Sequence, residues 1–170
     1  MQHLSSHSPI RPAILGIILA ALFSLVVFSL VALPVRVEGT SMVPSLAPHQ
    51  RLLVSPLFSR KNLRHADLVV LDHPLRPGII LIKRVAALPG DRLCINEKGI
   101  FVNDKRISSW TAGSCTPFMD LSIPQHTVFV LGDNLNQSMD SRVFGPLPIT
   151  RIRGKVVLSY WPVSRFGIPR

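Results

Sequence analysis

The sequence predicts a mainly β protein, a single antiparallel β domain that follows one N-terminal transmembrane helix. Three observations predict it. No charged residue occurs from Pro12 to Val35, where most positions are Ala, Ile, Leu, Val or Phe. Beyond that run, helical periodicity gives way to short β-type stretches separated by turn residues. Fifteen prolines, spread through the chain, argue against a helical bundle.

Residues 1–11 form a short tail. Residues 12–35, at ~1.5 Å per helical residue, are long enough to cross the roughly 30 Å hydrocarbon core with some tilt. Gly16, Ser24 and Ser29 are tolerable in such a helix. The run is longer than the roughly 7–15 residue core of a cleaved leader, and Val31-Ala32-Leu33-Pro34 is a poor small-residue cleavage site. It is therefore read as a retained anchor. Residues 36–170 make one further domain.

Strands are expected at Arg51–Val54, Leu68–Leu71, Ile79–Ala87, Arg92–Asn96, Ile100–Asn103, Val128–Leu131 and Gly154–Tyr160. Breakers separate them: Asp72-His73-Pro74, Arg76-Pro77-Gly78, Pro89-Gly90-Asp91 and Asn96-Glu97-Lys98-Gly99, the last joining a hairpin. Ser55–Lys61 mixes apolar and basic groups. It is either a headgroup-resting segment, with Leu57 and Phe58 dipping in, or an ordinary loop whose apolar side chains join the core.

The net charge is +10. Nucleic-acid binding is not expected, because zinc-finger spacing, ribonucleoprotein aromatics and a continuous basic helix are all missing. Attraction to anionic lipid and a merely solvated basic surface remain open. The two cysteines, Cys94 and Cys115, fit no zinc spacing. In an exported domain they can close a disulfide that stabilises by ~3 kcal/mol; two separate thiols are the alternative.

The residues that carry chemistry flank this arrangement. Ser41 lies in Gly39-Thr40-Ser41-Met42-Val43-Pro44-Ser45-Leu46, just past the apolar run. Lys83 lies in Ile80-Leu81-Ile82-Lys83-Arg84-Val85. A serine hydroxyl must lose its proton to attack, and a lysine can take that proton only when neutral. Its ordinary pKa is near 10.4, so neutrality requires desolvation. Strand alternation supplies it: Lys83 shares a face with Leu81 and Val85, while Arg84 points to the other side with Ile82 and Ala86. Either residue alone is a weak signal, since most such serines are turn residues and most strand lysines snorkel.

A third segment adds weight. An apolar strand, Val128–Leu131, enters a polar loop, Gly132-Asp133-Asn134-Leu135-Asn136-Gln137-Ser138-Met139-Asp140-Ser141-Arg142. The loop can hold the lysine through a hydroxyl and can pair an Asp with an Arg.

Taken together, Val37–Leu46, Ala66–Leu71, Ile82–Asp91 and Gly132–Arg142 resemble, in order, the conserved boxes of type I signal peptidases, membrane-bound Ser–Lys proteases. The resemblance implies Ser41 as acyl-forming nucleophile and Lys83 as general base. Ser138 would orient the lysine amine, with Asp133, Asp140, Arg142 and Arg84 in support. Met42, Pro44 and Ile82 are assigned to substrate binding. The backbone N–H of Ser41 would be one oxyanion donor; Gly39 stands where some members carry a second, a serine hydroxyl. No metal and no organic cofactor is expected.

The implied substrates are exported precursors with small residues at the first and third positions before the cut, bound extended along a strand edge. From Val35 to Ser41 the chain reaches at most ~20 Å, so Ser41 lies near the bilayer, at the depth of a precursor's cleavage site. This places the domain on the periplasmic or extracellular side of the plasma membrane, single-pass. Charge does not decide that orientation. A specialised pre-protein or pilin-maturation peptidase is the near alternative. More distant ones are a LexA-like self-cleaving regulator and a non-catalytic anchored binding protein. The sequence does not give the oligomeric state.

Overall fold

The computed structural model describes residues 10–107, 110 and 118–169. Among these residues a first helix, α1 (Ile10–Val31), leads into eleven strands: β1 (Leu33–Arg36), β2 (Arg51–Ser55), β3 (Leu68–Asp72), β4 (Ile80–Ala87), β5 (Arg92–Asn96), β6 (Gly99–Val102), β7 (Lys105–Arg106), β8 (Met119–Ser122), β9 (Thr127–Leu131), β10 (Leu147–Pro148) and β11 (Ile152–Trp161). One short helix, α2 (Ser141–Phe144), lies between β9 and β10.

The strands form two sheets, one ordered β1-β2-β11-β3-β4-β9-β10 and one ordered β7-β6-β5-β8. Every pairing within them is antiparallel. The chain leaves the large sheet after β4 through a turn in which Asp91 N–H bonds the Leu88 carbonyl. Gly90 takes a φ of +84° there, a conformation that an L side chain resists.

All seven expected strands are present, each within two residues of its expected bounds. The Asn96–Gly99 hairpin is formed, with those two residues as register partners. The strands that the sequence did not reveal are β1, β7, β8 and β10. The β1 difference matters most. The expectation ran one helix from 12 to 35, but the helix ends at Val31, and Leu33–Arg36 pairs with Arg51–Val54. Pro34 explains the change. It has no N–H for a helix bond, and it biases Leu33 towards extended backbone. Among the residues whose side chains are described, no helix is long and apolar enough to cross a membrane.

Three apolar clusters fix the layers. Ala87, Leu93, Ile95, Phe129 and Leu131 join the small sheet to the large one. Met42, Leu46, Leu52, Val70 and Val156 bury the turn that follows β1. Val69, Leu71, Val85 and Val130 fill the other face of the large sheet. Phe58 packs against this last cluster, as the loop reading of Ser55–Lys61 expects, while Leu57 stays exposed. Cys94 is half-buried on β5, and its expected partner, Cys115, lies outside the described residues.

Candidate active site

Ser41 is carried by a tight turn rather than a regular element. Val43 N–H bonds the Thr40 carbonyl, and Leu46 N–H bonds the Met42 carbonyl at 2.8 Å. Met42 and Leu46, buried on one side of this turn, anchor it in the core. The preceding Gly39 has a φ of +88° with open space around it, so glycine is needed there for its backbone freedom.

Lys83 approaches from β4, and its Nζ lies 2.8 Å from Ser41 Oγ. Only 1% of Lys83 is exposed. Its register partner, Val69, belongs to the same apolar cluster as Val85, against which Leu81 packs. Burial therefore lowers the lysine pKa to about 8; Asp140 and Asp133 oppose the shift and Arg142 adds to it.

Alternation aims Arg84 away, as expected. Its Nε and Nη2 bond the two oxygens of Asp133 at 2.8 and 2.7 Å, and its Nη1 bonds the Ala66 carbonyl. The guanidinium is thus neutralised by a buried bidentate pair.

The 132–142 loop holds itself and the serine. Asp140, fully buried, accepts from Arg142 Nε and Nη2 at 2.8 and 2.9 Å and from Gly132 N–H at 3.0 Å. It also caps α2 by accepting from Arg142 N–H. Asn134 N–H bonds the Ser41 carbonyl at 3.0 Å, and Thr40 Oγ1 donates to Gln137 Oε1.

Two expected placements differ. Ser138 does not hydrogen-bond the lysine amine: its Oγ is buried without a partner among the described residues. The hydroxyl lies over the Gly132 backbone, while the lysine bonds Ser41. Pro44 does not line the cleft described below. It is exposed, with its carbonyl accepting from Arg165.

Two residues were missed. A Cβ built on Gly132 would stand 2.2 Å from Ser138 Oγ and 2.6 Å from the Ser41 carbonyl oxygen. Trp110, buried, donates from its indole to the Gly132 carbonyl at 3.0 Å. A glycine at the end of an apolar strand is a recognisable sign of close backbone approach; Trp110 left no such sign. Gly132→Ala is expected to destabilise by roughly 1–3 kcal/mol through overpacking and to displace the Ser41 turn. Denaturant melts and turnover measured on one preparation check this, and unchanged turnover would refute it.

A cleft of about 400 Å³ opens beside the pair, between residues 35–42 and 78–82. Met42 and Ile82 are among the residues that line it. Two free strand edges border it. β1 is the last strand of its sheet, and β4 pairs with β9 only from Arg84 onwards.

The family described as "Signal peptidase, peptidase S26" matches residues 10–161. Signal peptidase I of Bacillus caldolyticus is 33% identical over 148 residues, covering 77% of this chain and 80% of the relative. Mitochondrial inner membrane protease subunit 1 of Xenopus tropicalis is 32% identical over 131 residues, covering 76% and 70%. The probable thylakoidal processing peptidase 2 of Arabidopsis thaliana is 33% identical over 156 residues; they cover 86% of this chain but only 42% of that longer relative. A crystal structure of a signal peptidase I from Enterococcus faecalis V583 aligns with a TM-score of 0.49 at 24% identity, covering 57% of this chain and 98% of that one.

Proposed function

Because the chain belongs to the type I signal peptidases of family S26, which are serine proteases, we propose that it cleaves signal peptides from exported precursors with a Ser41–Lys83 dyad. The observation that carries this reading is the 2.8 Å contact between Ser41 Oγ and a buried lysine whose pKa is lowered to about 8.

In the neutral state of Lys83 the serine hydroxyl donates along that contact. Oγ attacks the carbonyl carbon of the scissile bond as its proton passes to Nζ. The tetrahedral oxyanion is held by Ser41 N–H, which makes no hydrogen bond among the described residues. Collapse breaks the C–N bond, and the lysine ammonium returns the proton to the leaving amine. Lys83 then takes a proton from water, which opens the acyl ester and regenerates Ser41. Asp133, Arg84, Asp140 and Arg142 act in support by fixing the loop that holds the Ser41 carbonyl.

The precursor lies extended between the β1 and β4 edges, completing both through main-chain bonds. Met42 and Ile82 fill the floor and leave room only for small side chains at the first and third positions before the cut. The apolar helix α1 supplies a membrane anchor, and the catalytic domain begins with β1, at Leu33. The domain faces the periplasmic or extracellular side of the plasma membrane, where signal-peptide cleavage sites emerge. A Cys94–Cys115 disulfide suits that compartment.

Full-length protein in detergent is expected to cut a signal-peptide-bearing precursor once, after the second small residue. Ser41→Ala is expected to lose all detectable cleavage. The kcat/KM of the unaltered protein should rise with pH along a limb centred near 8, because only neutral Lys83 accepts the proton. Cleavage that survives in Ser41→Ala would refute the assignment.

A further inference from the structure

Two charged side chains line the cleft, and the chemistry above uses neither. Of its lining residues only Arg36 and Glu38 are charged. Arg36 is tied to His49, Nη2 to Nδ1 at 2.7 Å. Glu38 has no hydrogen-bond or ion-pair partner among the described residues. The chain has nine acidic residues; Asp67, Asp72, Asp120, Asp133 and Asp140 pair with Lys or Arg, and Asp91 bonds the His65 ring. Of the remaining three, Glu38, Glu97 and Asp104, only Glu38 lines the cleft.

Backbone geometry sets the face on which the side chain lies relative to a bound peptide. Val37 is buried, its N–H bonds the Gln50 carbonyl and its carbonyl accepts from His49 N–H, each at 2.8 Å. Extended residues alternate, so the main-chain groups of Arg36 and Glu38 face the opposite edge, towards the cleft, and their side chains lie on the outer face. A peptide strand paired there alternates too. If its first and third residues before the cut enter the floor beside Met42 and Ile82, the second lies on the outer face with Glu38.

We propose that Glu38 is a specificity-determining residue: it favours precursors with a cation at the second position before the cut and disfavours a carboxylate there. This rests on the proposed peptidase reading and on the bound strand it implies. The effect is that of an exposed ion pair, roughly two- to fivefold for attraction and a similar factor for repulsion. The protein's overall charge of +10 acts the other way, favouring acidic precursors, so the sign separates local recognition from the general field.

The test uses full-length protein in detergent and three precursors that differ only in Lys, Gln or Glu at that second position. The kcat/KM ratio of the Lys to the Glu precursor is expected to be roughly five- to twentyfold at low salt and to shrink at high salt. In Glu38→Gln it should fall towards unity or below, and in Glu38→Lys it should invert. A ratio unaltered by both substitutions would overturn the role of Glu38 while leaving the peptidase reading intact. Absence of any Ser41-dependent cleavage of all three precursors would overturn that reading, and this inference with it.

Discussion

Replacing Lys83 by Met is expected to remove cleavage and, at neutral pH, to make the folded protein more stable. Methionine keeps the length and apolar body of the side chain in the row shared with Leu81 and Val85, but it cannot take a proton. The expected loss of turnover is roughly 10²–10⁴-fold, the contribution of a positioned general base. The gain in stability follows from linkage. Lys83 titrates near 8 in the folded protein and near its ordinary 10.5 when unfolded. Below pH 8 both states carry the proton, and the folded state bears the full penalty of a buried ammonium. That penalty, roughly 3 kcal/mol at 1.36 kcal/mol per pKa unit, is relieved as pH rises from 8 to 10.5. Lys83→Met should thus exceed the parent in stability at pH 7 by up to that amount, less whatever the lost Ser41 contact contributed. The advantage should close by about pH 10.5. Denaturant melts of both proteins across this range check it, and a variant less stable at pH 7 would contradict it.

The second large effect is expected at Asp140. Its carboxylate, fully buried, compensates the Arg142 guanidinium, caps α2 and accepts from Gly132 N–H. Asp140→Ala strands a guanidinium that is only 5% exposed. Breaking a buried pair in this way costs about 3–5 kcal/mol, a large share of the roughly 5–15 kcal/mol that holds a domain folded. The double variant Asp140→Ala, Arg142→Met should regain much of the loss, because the stranded charge and not the missing bond dominates. Asp140 also raises the Lys83 pKa, so protein that still folds should show its activity limb below pH 8. Equal stability of the single and double variants would refute the argument.

These expectations rest on features that differ in how plainly the sequence carries them. Central strands were legible because each is a short apolar run between breakers; Leu68–Asp72 and Ile80–Ala87 are examples. The approach of Lys83 and the divergence of Arg84 were legible because side chains alternate along a strand whatever it packs against. β1 was not legible, since Leu33-Pro34-Val35 continues the apolar composition of the helix before it. Its identity as a strand depends on pairing with residues 51–54. The short strands β7 and β10 are likewise defined by partners rather than by pattern.

At the site, residue types and their order determined which side chains can do chemistry: a serine in a turn, a lysine in an apolar strand, and a polar loop with acids and arginines at fixed spacing. Only the tertiary structure decided how close they come. It set the 2.8 Å serine–lysine contact, left the Ser138 hydroxyl over Gly132 without a partner among the described residues, kept Pro44 out of the cleft lining and put the exposed Glu38 carboxylate at the cleft's rim. The reason is physical. Alternation and burial preference are local properties that a strand keeps in isolation. A close approach between backbones depends on the packing of segments far apart in the chain, and no single segment encodes it.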